Sequence, residues 1–347
     1  MGVAIGKLIE ESKEKFEFNN NHKHKKFGFD AYNILYQFLT TIRGIDGEPL
    51  KNANGDITSH LNGLFYRMLN LLSNNIDIFF VYDGKSIALK EKTQEKRRSR
   101  KELAKESFND AVLRGDLEDM NKFSKRITSI DEKIISESKE LLSAMGVSII
   151  DAPSEAEAQI SYLTITNFLD YTVSQDFDCL LFGSPNLLRN LTVSRKKKIP
   201  SKNIYVDVNP EIIYLDQVVD KLNISREKLI WLSMLIGTDF NDKVEGVGPK
   251  TALKLVLEHD TFEGIEKTLK EKNKAVNFDY KEIQDIFINP IVDKTPNILT
   301  SDFDRKKIEN ILIDKFNFSQ ERVVNSLDKF ITEKSDSDKQ KTIDQWF

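Results

Sequence analysis

Three short apolar runs in this chain each stop at an acidic residue. Residues 25–29 (Lys-Lys-Phe-Gly-Phe) lead into Asp30, residues 76–82 (Ile-Asp-Ile-Phe-Phe-Val-Tyr) into Asp83, and residues 171–174 (Tyr-Thr-Val-Ser) into Gln175-Asp176-Phe177-Asp178. Runs rich in β-branched and aromatic residues read as strands. Between them the apolar spacing turns helical: Ile34, Leu35, Phe38 and Leu39 share one face of a helix over 31–43. Thr58 or Ser59 caps a second helix to about residue 73, a third spans 129–145, and a strand follows at 147–151. Alternating strands and helices predict an α/β fold with a mostly parallel central sheet flanked by helices. In such sheets ligands gather outside the carboxyl ends of the strands, where these acids stand.

More acids join them. Pro153-Ser-Glu155-Ala-Glu157 reads as a first helical turn continuing over 156–168, with proline early and acids favoured by the macrodipole. An extended Asp176-x-Asp178 would point both carboxylates to one side, because strand side chains alternate. Asp239 lies in Gly237-Thr-Asp239, between two helical stretches. Either cluster alone is equally well a solvated helix start or a polar turn. Taken together, Asp30, Asp83, Glu155, Glu157, Asp176, Asp178 and Asp239 would repel one another and rise in pKa unless cations paired with them. Hard divalent metals meet that need with all-oxygen ligands. No His or Cys lies in the clusters, which favours Mg²⁺ or Mn²⁺ over Zn²⁺. Two such ions clamp the attacking and leaving oxygens of a phosphoryl displacement, so hydrolysis of a phosphodiester is the expected reaction.

The net charge of −4 gives no global argument for nucleic acid, but its distribution does. Residues 85–105 are strongly basic with a thin apolar stripe. This segment reads either as a solvated surface helix or as a basic cover beside the acidic centre, suited to a phosphodiester backbone. In the second reading Lys90 and Arg97 add positive charge where the transition state needs it. Beyond 208 the chain reads as helices over 209–222, 225–236 and 249–258, with shorter ones to about 330. Glu245-Gly246-Val-Gly248-Pro249-Lys250 is a glycine turn opening a helix: a phosphate nest, or a plain helix connector. The polar stretch 333–339 reads as a tail without fixed structure. After it, Ile343, Trp346 and Phe347 share one face of a helical turn with no chain left to cover them. They form an anchor for a partner's pocket, or fold back onto the domain. With 39% hydrophobic and 10% aromatic residues the chain can bury a real core, and its one cysteine excludes an internal disulfide framework. No apolar run approaches membrane-spanning length, and no secretory signal is evident.

These residues resemble the structure-specific 5′-nucleases, and among them the archaeal and eukaryotic flap endonucleases. The resemblance covers nearly the whole chain. It is carried by the opening Met-Gly-Val-x-Ile-Gly, Phe29-Asp-Ala with Tyr36-Gln-Phe-Leu39, Thr58-Ser-His-Leu61 with Gly63-Leu-Phe-Tyr-Arg67, and Val81-Tyr-Asp-Gly84. Ala152-Pro-Ser-Glu-Ala-Glu-Ala158, Ser174-Gln-Asp-Phe-Asp178 with Leu181-Phe-Gly183, Gly237-Thr-Asp239 and Gly246-Val-Gly-Pro-Lys250 continue it. Phe177 and Phe240 stand where Tyr is frequent, and Asn33 occupies a position where small residues vary.

The resemblance implies a 5′-nuclease fold with a helical gateway and a helix-turn-helix duplex-binding region, and the seven acids as ligands of two Mg²⁺ ions, with Mn²⁺ as a substitute. It implies Lys90 and Arg97 as the catalytic basic pair, Tyr36 stacking on a substrate base, and duplex contacts at Gly246, Gly248 and Lys250. Arg43 and Thr58 become contacts to a one-nucleotide 3′ flap. Gln340, Ile343, Trp346 and Phe347 match the family's sliding-clamp-binding box, which implies a clamp of the proliferating-cell nuclear antigen type as partner. The expected activity is cleavage of 5′-flap DNA in Okazaki fragment maturation and repair, with 5′ exonuclease action on the side. The chain ends without the basic extension of eukaryotic relatives, which favours an archaeal-type, cytoplasmic or nucleoid-associated monomer; a eukaryotic one would be nuclear. The expected organisation is a nuclease region over 1–108 with the gateway, a second over 109–250 with the acidic clusters, a helical part of the same core over 251–332, and a flexible tail over 333–347. The competing reading is a clamp-tethered, non-catalytic DNA-junction binder whose acids are structural.

Overall fold

The computed structural model describes residues 2–44, 47–114, 117–193, 196–199 and 204–344. Its strands are β1 (Lys13–Lys15), β2 (Lys26–Asp30), β3 (Asp77–Tyr82), β4 (Ser148–Asp151) and β5 (Tyr171–Val173). They continue with β6 (Asn186–Arg189), β7 (Lys196–Ile199), β8 (Ile204–Asp207), β9 (Glu211–Tyr214) and β10 (Ile298–Leu299). Eight form one sheet in the order β1-β9-β6-β5-β2-β3-β4-β10. The inner five, β6 to β4 in that order, run parallel. The outer pairings, β1 with β9, β9 with β6 and β4 with β10, are antiparallel. The mostly parallel sheet read from the sequence is therefore its centre, and chain reversals supply its margins. β7 and β8 make a separate two-stranded ribbon.

The helices are α1 (Ala31–Thr41), α2 (Ser59–Leu72), α3 (Glu91–Arg114), α4 (Leu117–Ile127), α5 (Glu132–Ala144), α6 (Ala156–Ile165) and α7 (Asp178–Leu181). The remainder are α8 (Leu215–Leu222), α9 (Arg226–Ile236), α10 (Pro249–Glu258), α11 (Phe262–Glu271), α12 (Tyr280–Ile288), α13 (Arg305–Glu309) and α14 (Gln320–Asp344). No helix among the described residues is long and apolar enough to cross a membrane.

Strand periodicity places the core. In β3, Ile78, Phe80 and Tyr82 face one layer with α1, α2, α5 and the start of α14, through Ile34, Leu61, Leu141 and Val323. Phe79 and Val81 face the other layer with Ile160 and Leu163 of α6. A sheet covered on both faces carries near-continuous apolar strands, which is why 76–82 reads so plainly as one. A further apolar cluster joins α7 to α9, α10, α11 and α12 through Leu180, Trp231, Val256, Phe262 and Phe287. It ties the helical half to the sheet end that carries the acids.

Four expectations need correction. Residues 209–222 are not one helix: Glu211–Tyr214 is β9, and helix begins only at Leu215. The Pro210 carbonyl accepts from Phe16 N, and Ile212 and Ile213 pair with neighbours on both sides. Asp176-x-Asp178 is not extended either, because Phe177 takes a helical conformation and Asp178 opens α7. The basic segment is longer than its composition showed, running to Arg114 in α3 before α4 returns beside it. Finally, the backbone stays helical to Asp344 as a continuation of α14, where the polar composition had indicated a tail without fixed structure.

Candidate active site

The carboxyl ends of β2, β3 and β5 lie side by side, and each delivers its acid to the same place. Asp30 ends β2 and caps α1, its Oδ1 accepting from Asn33 N at 3.0 Å. Asp83 follows β3 and its Oδ1 accepts from Ala156 N at 2.7 Å, so it satisfies a free amide at the start of α6. Glu155 occupies the cap position of α6 without bonding its own helix, and Glu157 sits in its first turn. The Glu157 carboxylate accepts from Ser174 Oγ at 3.3 Å, and Ser174 Oγ in turn accepts from Asp176 N at 3.2 Å. Asp178 Oδ1 accepts from Val3 N at 2.7 Å.

These groups feel one another. Burial, then Asp83 and Asp176, push the Asp30 carboxyl up to about 8. Burial and Asp239, with Asp176, raise Asp178 to about 7. Asp83 keeps exposed surface, yet the surrounding protein limits its hydration and, with Glu155, raises it to about 6. Glu157 is raised well above its ordinary value by burial and by Asp178, Asp176 and Asp30. Lys90 ends the turn Ala88–Lys90 just before α3 and brings one positive charge into the group. It ion-pairs with Glu155 and stands 3.8 Å from Asp239, with its ammonium 5.3 Å over the Phe240 ring. Burial works to lower the Lys90 pKa, but Glu155 and Asp239 outweigh it and hold the ammonium charged.

All seven acids and Lys90 thus come together. Arg97 lies on the backbone of α3, and its side chain is outside the described residues. Among the described residues no three acid, His or Cys side chains stand ready as a preformed metal-binding group. The donor chemistry nevertheless fits divalent cations: oxygen ligands only, crowded and desolvated, with more negative charge than Lys90 offsets.

The remaining expected residues are placed around this centre. Tyr36 is 43% exposed on α1, and its hydroxyl donates to Lys125 O of α4 at 3.5 Å. Arg43 is occupied within the protein: its guanidinium donates to Gly47 O at 2.7 Å and Thr128 Oγ1 at 2.6 Å, and also bonds Ser124. Thr58 is buried at the start of α2, its amide donating to Leu50 O at 2.7 Å. Gly246 has φ +68 and Gly248 caps α10, with Pro249 first in the helix and Lys250 exposed. A cleft of about 1050 Å³ opens beside this turn, walled by Leu89, Thr93, Phe240, Lys243 and Lys274. The acids do not line it; Lys90 and Asp239 are the chain neighbours of its wall. The backbone at Gln340 and Ile343 belongs to α14, their side chains are outside the described residues, and Trp346 and Phe347 lie beyond them.

Sequence reasoning missed the supports. A β-carbon on Gly2 would stand 2.7 Å from Asp176 Cβ and 3.0 Å from Asp178 Oδ1, so the chain's opening residues press directly against the acids. The glycine in the opening motif was the available signal for that close approach. Asn33 bonds both Asp30 and Asp176.

Comparison with known proteins identifies this arrangement. Residues 1–104 match the XPG N-terminal domain and residues 146–239 the XPG I-region. The chain is 41% identical to flap endonuclease 1 of Pyrococcus furiosus, over 100% of this chain and 99% of that one. It is 40% identical to flap endonuclease 1 of Sulfolobus acidocaldarius, over 99% and 100%. The solved flap endonuclease-1 of Methanococcus jannaschii superposes with a TM-score of 0.74 at 36% identity, over 97% of this chain and 100% of that one. The catalytic core of Rad2 in complex with a DNA substrate shares the fold, with a TM-score of 0.70 at 23% identity over 95% and 100%. None of this favours a non-catalytic junction binder. At such identity along its whole length the chain belongs to the flap endonuclease family of XPG-type nucleases and is a structure-specific phosphodiesterase.

Proposed function

We propose that the protein cuts 5′-flap DNA at the junction of flap and duplex, using two divalent ions, Mg²⁺ in the first place, held by Asp30, Asp83, Glu155, Glu157, Asp176, Asp178 and Asp239. The observation that carries this reading is the convergence of these carboxylates where β2, β3 and β5 end, brought together with Lys90 ion-paired to Glu155 and Asp239, a crowding of acids that burial disfavours and that divalent cations would relieve. When bound, the ions would lower the pKa of a water and stabilise the charge on the scissile phosphate. Lys90, charged and buried beside Glu155 and Asp239, would orient the phosphodiester and hold positive charge against it; Arg97 would approach from α3. Tyr36 would stack on a base next to the scissile bond, and Arg43 and Thr58 would support recognition of a 3′ flap. The amides around Gly246 and Gly248, with Lys250, would hold phosphates of the downstream duplex.

Residues 333–347 would serve as the tail that engages a sliding clamp through Gln340, Ile343, Trp346 and Phe347. The protein would work as a monomer, with 5′ exonuclease action as a side reaction and removal of replication and repair flaps as its task. The decisive experiment is single-turnover cleavage of a 5′-labelled double-flap DNA beside single strand and blunt duplex, with Mg²⁺ or with chelator. Metal-dependent incision at the flap base is expected. Tight junction binding without incision would overturn the reading. Clamp capture that survives Trp346→Ala with Phe347→Ala would remove the tail's proposed role.

A further inference from the structure

We infer that Asn33 is a positioning residue that sets the Asp176 carboxylate relative to Asp30 and thereby tunes the cluster's affinity for divalent cations. Asn33 lies in the first turn of α1, three residues after Asp30, and its backbone N donates to Asp30 Oδ1 at 3.0 Å. Its side-chain amide spans to the loop after β5. Nδ2 donates to Asp176 Oδ2 at 3.2 Å, and Oδ1 accepts from Gln175 N at 3.3 Å. The orientation of the amide follows from chemistry: a carboxylate only accepts and a backbone N–H only donates, so each end of the amide meets the one group it can bond.

The consequence is specific to asparagine. Aspartate at 33 would set another carboxylate against Asp176 and lose the donor. An apolar residue would leave Gln175 N without this acceptor and let the loop of Asp176 shift against α1. Outer partners that fix a ligand's orientation contribute about 10–100-fold to metal affinity.

This inference rests on the metal-dependent reading above, and the experiment separates the two. Mn²⁺ and Mg²⁺ are titrated into the full chain without DNA, following the thermal midpoint, for wild type, Asn33→Leu, Asn33→Asp and Asn33→Ser. The expected result is a half-saturating metal concentration about tenfold higher in Asn33→Leu, intermediate in Asn33→Ser, and nearer wild type in Asn33→Asp, whose added negative charge attracts the cation while the donor to Asp176 is lost. The KM for flap DNA at saturating metal is expected to stay within about twofold of wild type. A wild-type titration midpoint in Asn33→Leu and Asn33→Ser, in proteins that fold and bind metal, would overturn the role of Asn33 alone. Absence of any metal response in the wild type would overturn the metal reading with it.

Discussion

The ammonium of Lys90 stands 3.8 Å from the carboxylate of Asp239, although one residue precedes the basic helix α3 and the other lies in the loop after α9, in the chain's second half. With Glu155 as its second partner, Lys90 links the start of α3, the sheet and the helical half at one charge. Removing it therefore touches both chemistry and stability. Lys90→Ala is expected to slow single-turnover flap cleavage by about 10²–10³-fold with flap binding retained, the scale of one lost transition-state donor. A rate within about threefold of wild type would show that Lys90 only neutralises the acids.

Asp178→Asn keeps an acceptor for Val3 N, which lies 2.7 Å from the carboxylate, while removing its charge. The variant is expected to fold, to bind flap DNA within a few-fold of wild type, and to cut at least roughly 10²-fold more slowly. Fluorescence anisotropy in Ca²⁺ and quench-flow in Mg²⁺ would separate the two effects. Equal losses in binding and cleavage would instead place Asp178 in DNA recognition.

Metal and pH act together. Without metal, the folded carboxyls of Asp83, Asp178 and Asp30 lie near 6, 7 and 8, above their ordinary value of 3.8. A raised folded pKa means the native state binds protons more tightly than the unfolded chain. The stability cost is then absent below about pH 4, grows as pH rises, and is complete above about pH 8. Divalent ions hold the carboxylates ionised and cancel that cost. The rise in Tm on adding Mg²⁺ in place of chelator is expected to be larger at pH 8 than at pH 5.5, and an equal rise at both would refute the linkage.

Gly63 tests the core rather than the site. A β-carbon there would meet the Phe38 ring at 2.3 Å, where α2 crosses α1. Gly63→Ala should gain helix propensity yet lose more by overpacking, for a net destabilisation of about 1–3 kcal/mol in urea unfolding. Because α1 carries Asp30 at its cap, cleavage is expected to fall as well. A more stable variant would mean that α1 and α2 separate easily.

How legible the molecule was depends on how far apart its partners lie in the chain. Asp30 and Asp83 could be read because each ends a buried strand, and burial on both faces leaves an unmistakable apolar run before the acid. Strand β9 was misread because its four residues offer too little periodicity, and Asn209-Pro210 imitates a helix start. Only pairing with β1 and β6, both remote in sequence, makes it a strand. The supporting roles of Asn33, Gly2 and Val3 could not be read for the same reason, since they touch residues more than a hundred positions away.

The sequence by itself determined the alternation of strands and helices, the acids at their ends and the basic segment beside them, because these depend on local periodicity and on which residue types sit together. Tertiary structure alone decided the antiparallel margins of the sheet, the helical start at Asp178, the insertion of Lys90 between Glu155 and Asp239, and the bracing of Asp176 by Asn33. Those features depend on long-range hydrogen bonds and on desolvation, which exist only once distant segments close around the same few carboxylates.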